Sequence, residues 1–111
     1  MADSYQIGQE RADDRTATVL RPSGDLDINA RDDLSLAIVE ALREHPSVTV
    51  DLADVTFIDS EALGALIDGY NEAVARGARY RVVNAKGGVA RVLTVSGVQG
   101  LFDAADGSSG S

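Results

Sequence analysis

The chain has 111 residues, 44% of them hydrophobic, and its 18 acidic and 10 basic residues give a formal charge of −8. This length suits one domain with a substantial core and is too short for two. The absence of cysteine excludes disulfides and thiolate metal sites. The acidic balance disfavours binding to nucleic-acid phosphates and favours a protein partner with a basic face.

The sequence also argues against membrane insertion. No run of about 18 apolar residues is present, and the residues after Met1 lack the basic and then apolar pattern of a signal peptide. We therefore expect a cytoplasmic protein that does not contact a membrane.

The first elements in chain order are two predicted strands. Residues 5–9 form a weak strand candidate, and residues 16–21 are β-branched and alternating. The Pro-Ser-Gly segment at 22–24 is expected to end the second strand. The two strands are predicted to pair as a hairpin.

A helix is predicted next, with Asn29 as its N-cap and the acidic residues 32–33 in its first turn. Its apolar stripe consists of Leu34, Ala37, Ile38, Ala41 and Leu42. The His-Pro pair at 45–46 is expected to end it. Leu36 and Val39 lie off the stripe, and they either widen the buried face or contribute to a partner surface.

Residues 47–52 alternate as a strand, and residues 55–58 are interpreted as the end of a buried strand and loop. A second helix is predicted to begin here, with Asp59 before it and Ser60 and Glu61 at its start. Its expected apolar stripe is Leu63, Leu66, Ile67, Tyr70 and Val74. The pattern therefore places a hydroxyl at a helix N-terminus.

Two glycines bear on the prediction of this second helix. Gly69 lies inside it, at an expected cost of about 1 kcal/mol relative to Ala, and Gly77 is well placed to stop it. A further strand follows at 79–84, and the glycines at 87–88 open a third helical pattern that Gly97 closes. Residues 103–111 are rich in Gly, Ser and Asp without periodicity, which predicts a disordered polar tail after a domain at 1–102.

The element order β-β-α-β-α-β-α predicts an α/β fold with a central mixed β-sheet of about four to five strands and helices packed on it. Right-handed crossovers would make the strands at 48–52 and 80–83 parallel neighbours. Functional groups in such folds gather at the carboxyl ends of strands. We therefore expect the turn at 24–27 to lie beside Ser60.

These residues resemble the STAS domain of bacterial anti-sigma factor antagonists. The turn Gly-Asp-Leu-Asp at 24–27 and the segment Val-Thr-Phe-Ile-Asp-Ser-Glu-Ala-Leu-Gly at 55–64 are similar to two motifs of that family, in order and at the family's spacing. Residues 89–102 are similar to its third helix and the segment after it. The resemblance runs from about residue 16 to 102.

The resemblance implies a phosphorylation switch at Ser60. In this family the unmodified antagonist binds an anti-sigma factor and frees the sigma factor. The anti-sigma factor is itself a serine kinase, and a phosphoserine phosphatase resets the switch. This chain would then be a substrate and ligand, not an enzyme, and no cofactor or metal is expected. The expected partner-binding residues are Asp25, Asp27, Asp59, Ser60, Glu61, Ala62 and Leu63.

The physical chemistry of Ser60 agrees with such a switch. A phosphate adds about −1.5 to −2 charge, and free backbone N–H groups at a helix N-terminus can hold it. Beside Asp59 and Glu61, and near Asp25 and Asp27, that charge would repel a partner suited to a neutral hydroxyl.

Other interpretations remain open at this point. Asp59 and Ser60 are equally suited to a purely structural cap, and Asp25 and Asp27 to a turn. Glu61 stands where the family usually has a second Ser or Thr, and Ala62 replaces its usual Gly. A STAS scaffold subunit of a lipid-transport or stress-sensing complex, without a phospho-switch, is therefore the alternative function.

The sequence contains little that indicates an enzyme. Ser60 lacks the Gly-x-Ser-x-Gly elbow of a hydrolase, and the single histidine, His45, precedes a proline at a helix end. One histidine cannot build a metal site. The glycines at 87–88 lack the Lys-Ser/Thr of a P-loop.

Overall fold

Five strands and three helices make up the part of the chain that the computed structural model describes, residues 5–11 and 17–98. The elements are β1 (Tyr5–Arg11), β2 (Ala17–Leu26), α1 (Ile28–Glu44), β3 (Ser47–Asp51), β4 (Asp54–Ile58), α2 (Ser60–Arg76), β5 (Arg79–Val83) and α3 (Gly87–Val95). The predicted tail at 103–111 lies outside the described residues.

The long strand β2 organises the sheet. It pairs antiparallel with β1 on one side, which confirms the predicted hairpin pairing. On the other side its first half pairs with β3 and its second half with β4, both parallel. The strand β5 pairs parallel with β3, as predicted from the crossover rule. The fold is therefore the expected α/β domain with a mixed sheet.

The prediction that residues 22–24 end the second strand is wrong, since β2 continues to Leu26. The pairing with β3 ends at Leu20 and the pairing with β4 begins at Ser23. Pro22 lies between the segment of β2 that pairs with β3 and the segment that pairs with β4. Its missing backbone N–H therefore interrupts neither of these two pairings. Gly24 adopts a positive φ of 85° at the shift in register that follows, which a residue without Cβ tolerates best.

The strand β4 is missing from the predicted order. The sequence predicts only the end of a buried strand and a loop at residues 55–58, whereas the structure has a separate strand there, divided from β3 by a turn in which the Val55 N–H donates to the Leu52 carbonyl. Only Val55 and Ile58 of its five residues are buried, so it lacks regular alternation. It is a strand because it pairs with β2, and this contact between distant segments produces no recognisable pattern in the sequence of β4.

The start of α1 also differs from the prediction. The N-cap is Asp27, whose carboxylate accepts a hydrogen bond from the Asn29 N–H at 2.9 Å. Asn29 is therefore inside the helix, and no acidic residue lies in its first turn. The exposed fraction of Leu36 is 58%, so this side chain does not widen the buried face.

The helices α1 and α2 pack against each other, and α3 lies against β4. The buried face of α2 differs from the predicted stripe and carries smaller side chains; it consists of Ala62, Leu63, Ala65, Leu66, Gly69 and Ala73, whereas Val74 is exposed. A Cβ at Gly69 would lie 2.7 Å from Ile38 Cγ2 and 2.7 Å from Tyr80 Oη. Gly69 is therefore required by close packing and is not merely a weak helix residue.

Tyr80 is the largest fully buried side chain of the described core. Its hydroxyl donates a hydrogen bond to the Leu66 carbonyl oxygen at 2.8 Å. Burial raises the pKa of Tyr80 far above its ordinary value of 10.0, and the Asp68 carboxylate adds to this effect. The tyrosine thus remains a neutral donor that joins β5 to α2.

Candidate functional site

The carboxyl ends of β2 and β4 bring together two turns that are distant in sequence. Leu26 and Ile58 are register partners, and the Asp59 N–H donates to the Leu26 carbonyl at 3.0 Å. The Thr56 hydroxyl donates to the Asp25 carboxylate at 2.7 Å. The prediction that residues 24–27 lie beside the Ser60 turn is therefore confirmed.

Asp59 caps α2 with one carboxylate oxygen. Its Oδ1 accepts hydrogen bonds from the N–H groups of Glu61 and Ala62, both at 3.0 Å. Ser60 is the first residue of the helix, and it is exposed. Asp59 therefore caps the helix, and the side chain of Ser60 lies at the surface.

This cap alters one expectation about a phosphate on Ser60. The sequence suggested that free N–H groups at the start of α2 would hold it. The N–H groups of Glu61 and Ala62 are engaged by Asp59, so they are not available without losing the cap.

The charged residues around the turn are only partly paired. Glu61 forms an ion pair with Arg31 of α1, with 3.1 Å between Oε1 and Nη1. Both side chains are about half exposed, so this pair contributes little to stability. Asp25 and Asp27 add two more carboxylates at the end of β2, and Asp27 caps α1. The surface around Ser60 is therefore acidic.

Two residues of the expected partner-binding set have little or no exposed side chain. Ala62 is fully buried, so its side chain cannot contact a partner, because it packs in the core at the start of α2. Leu63 is 7% exposed, and it contributes to the wall of a groove beside Ser60.

That groove has a volume of about 470 Å³ and lies between the start of α2 and α3. Its lining is largely apolar, with Ser60 at one side; the residues are Ile58, Ser60, Leu63, Gly88, Arg91, Val92, Val95 and Ser96. Val95 is 77% exposed. The groove therefore offers an apolar surface next to the hydroxyl.

Sequence reasoning missed the apolar part of the site. Ile28, Phe57 and Val95 are exposed, at 60%, 49% and 77% respectively. Ile28 follows the Asp27 cap, and Phe57 is the register partner of Asp25. The sequence does show apolar residues next to a helix cap and at the end of a strand. It does not show whether such a side chain is exposed at the surface or buried in the core, which only the structure reveals.

Two further observations concern metal ligands and helix length in the described residues. No cluster of three or more His, Asp or Glu side chains suited to a metal ion occurs within residues 5–11 and 17–98. Within the same residues, each helix is too short or too polar to cross a membrane.

Comparison with known proteins gives a family match. The model of one family, described as "Mlab, STAS domain", matches residues 10–103. No curated protein shows a significant match.

Solved structures share the fold at low identity. An anti-sigma factor antagonist from Mycobacterium paratuberculosis superposes with a TM-score of 0.78 at 24% identity, covering 89% of this chain and 83% of that one. The unphosphorylated form of the anti-sigma factor antagonist SpoIIAA gives 0.72 at 22% identity, with coverages of 87% and 84%. SpoIIAA from Bacillus in its phosphorylated form gives 0.67 at 22% identity, with coverages of 88% and 86%.

Proposed function

The chain belongs to the family of STAS domains described as "Mlab, STAS domain", and we propose that it is an anti-sigma factor antagonist. In this proposal it binds an anti-sigma factor, and phosphorylation of Ser60 switches that binding off. The consequence is control of sigma-factor-dependent transcription in the cytoplasm.

The observation that carries this proposal is the position of Ser60. Its side chain is exposed at the first position of α2, next to an apolar groove, while Asp59 performs the capping that would otherwise explain a serine there. Exposed Val95, which lines the groove, adds apolar surface beside it. An exposed hydroxyl that does not cap the helix and lies next to exposed apolar side chains suits a site that a partner protein binds.

The unmodified surface suits a partner that is apolar and basic. Apolar side chains of the partner would fill the groove beside Ser60. Its cations would face Asp25, Asp27 and Glu61. Such complementarity contributes to association rate and to specificity.

Phosphorylation of Ser60 would make this surface unfavourable for the partner. The kinase partner would transfer the γ-phosphoryl group of ATP to Ser60 Oγ, releasing ADP and the hydroxyl proton. About −1.5 to −2 charge would then appear beside Asp59 and Glu61. A contact made for a neutral hydroxyl would lose several kcal/mol by desolvation of that charge. A phosphoserine phosphatase would restore binding.

The fold comparisons support the proposal. SpoIIAA is an anti-sigma factor antagonist that has been solved in unphosphorylated and phosphorylated forms, and both superpose on this chain. The same architecture is therefore compatible with both states of a phosphorylated antagonist.

The direct test is to incubate the protein with ATP and candidate anti-sigma factors that have serine kinase activity. We expect mass spectrometry to locate the phosphate on Ser60, and Ser60→Ala to bind the same partner without being modified. Ser60→Glu should weaken binding at least about tenfold, equivalent to about 1.4 kcal/mol.

Asn71→Glu is the matched control, because Asn71 is exposed on the same helix, about 16 Å along its axis from Ser60. It adds an equal charge and should leave binding unchanged. No phosphate on Ser60, together with equal partner binding by wild type, Ser60→Ala and Ser60→Glu, would contradict the switch.

A scaffold subunit without a phospho-switch is the second candidate. It is favoured by Glu61, which occupies the usual position of a second phosphorylatable residue and is paired with Arg31. The same experiment separates the two candidates, since a scaffold would keep its partner whether or not residue 60 carries a charge.

A further inference from the structure

We propose that Arg91 binds the phosphoryl group of phosphorylated Ser60. This inference rests on the proposed function, because it names the residue that stabilises the switched-off state. It assigns a role to a side chain of α3 that none of the sequence motifs singled out.

The first step concerns the donors nearest to Ser60. A phosphate at a helix start is normally held by the backbone N–H groups of the first turn. Here Asp59 Oδ1 already accepts from the N–H groups of Glu61 and Ala62 at 3.0 Å. The Leu63 N–H donates to the Asp59 carbonyl at 2.9 Å. These bonds leave fewer first-turn N–H donors for a phosphate, and a donor from another element would supplement them.

The second step concerns the available cations. Arg31 lies near the start of α2, where its guanidinium is paired with Glu61 at 3.1 Å, but it is not among the residues that line the groove. Arg91 lines the groove that Ser60 also lines. Within residues 5–11 and 17–98, no carboxylate lies within ion-pair distance of Arg91. Among the described residues, Arg91 is thus a cation that lines the same groove as the serine and forms no ion pair with a described carboxylate.

The third step concerns access across the groove. The side of α3 that faces it carries Gly88 and the short side chain of Val92. A Cβ added at Gly88 would meet no atom within 4 Å, so the space there is open. The space beside Gly88 is therefore open to the long side chain of Arg91, three residues further along α3.

The guanidinium of Arg91 and a phosphate on Ser60 are chemically complementary. A guanidinium presents parallel N–H donors that match two phosphate oxygens, and charge-assisted bonds of this kind are stronger than neutral ones. Its aliphatic stem would lie over the apolar floor that includes Leu63 and Val92. Phosphorylation would then cover the groove as well as adding charge, and both effects oppose partner binding.

The test uses the full chain with phosphoserine inserted at position 60 by stop-codon suppression, so that no kinase is needed. Phosphorus NMR follows the second ionisation of the phosphate against pH. Because a nearby cation favours the dianion, we expect wild type to titrate about half a pH unit lower than Arg91→Gln. Arg91→Lys should give an intermediate midpoint, since it keeps the charge without the paired donors.

Arg43→Gln is the matched control. Arg43 is exposed in the last turn of α1, which leads away from the carboxyl ends of β2 and β4, and its loss changes the net charge equally. Its midpoint should equal that of wild type. Equal midpoints in wild type and Arg91→Gln, or equal shifts in both Gln variants, would overturn the assignment. Failure of the kinase assay with a normal Arg91 effect would instead count against the proposed function alone.

Discussion

The backbone N–H of Asp59 donates a hydrogen bond to the carbonyl oxygen of Leu26 at 3.0 Å. This bond continues the pairing of β4 with β2 one residue beyond Ile58. It places the cap of α2 next to the turn that leads into α1. The geometry of the surface around Ser60 therefore depends on Asp59 through both its backbone and its side chain.

Replacing Asp59 should destabilise the fold through loss of the cap. Asp59→Ala removes two hydrogen bonds, to the N–H groups of Glu61 and Ala62, and should lower the free energy of unfolding by about 1–2 kcal/mol. Urea denaturation monitored by circular dichroism measures this change. Asp59→Asn keeps an acceptor oxygen and should cost less. Equal stabilities of wild type and Asp59→Ala would contradict the capping role.

Gly69→Ala should destabilise the protein by about 1–3 kcal/mol, although alanine is the better helix former. The added methyl group would lie 2.7 Å from both Ile38 Cγ2 and Tyr80 Oη. Because both neighbours belong to the packed core, neither can move without strain. Thermal or urea unfolding of the variant measures the effect.

Gly64→Ala is the matched control for Gly69→Ala. Gly64 lies on the same helix, but a Cβ there would meet nothing within 4 Å. This variant should be more stable than wild type by about 0.5–1 kcal/mol. A stabilising effect at both positions would show that the helices do not approach as closely as described.

Tyr80→Phe should have a pH-dependent effect on stability. At neutral pH the loss of the hydrogen bond to the Leu66 carbonyl should cost about 1 kcal/mol. The pKa of Tyr80 is raised in the folded state, so only the unfolded chain ionises this residue just above its ordinary value of 10.0. The wild type therefore loses stability as pH rises beyond that value, whereas the variant lacks this contribution.

The stability difference between wild type and Tyr80→Phe should accordingly shrink above pH 10 and vanish by about pH 11. Urea midpoints at a series of pH values measure it, and Tyr70→Phe, at a partly exposed position, serves as the comparison. A difference that stays constant up to pH 11 would argue against a buried, neutral hydroxyl.

The ion pair between Arg31 and Glu61 should contribute little to stability. A double-mutant cycle with Arg31→Gln and Glu61→Gln should give a coupling energy of about 0.2–1 kcal/mol that decreases with added salt, because both side chains are half exposed. A coupling energy well above that range would mean that the pair is more ordered and less solvated than its exposure indicates.

Local patterns were sufficient for several elements. Gly77 ends α2 in the left-handed conformation, with φ of 67°, as its position after an amphipathic run predicted. Alternation predicted β3 and β5. These features depend on a few neighbouring residues and on backbone preferences that act within one turn of chain.

Contacts between distant segments decided the features that sequence reasoning missed. Pro22 is compatible with a strand because β2 changes partner there, and β4 is a strand because β2 pairs with it. Gly69 is explained by Ile38 and Tyr80, neither of which is adjacent in sequence. The exposure of Phe57 depends on the sheet edge where it lies.

The sequence by itself determined that this is an α/β domain with STAS motifs and that Ser60 stands at a helix start behind an aspartate. Periodicity, caps and turn residues are local, so they can be recognised without coordinates. Only the tertiary structure decided that Asp59 occupies the N–H groups of that helix start and that Arg91 shares a groove with Ser60. The occupied N–H groups depend on the side-chain rotamer of Asp59, and the shared groove depends on how α3 packs against β4 next to the start of α2.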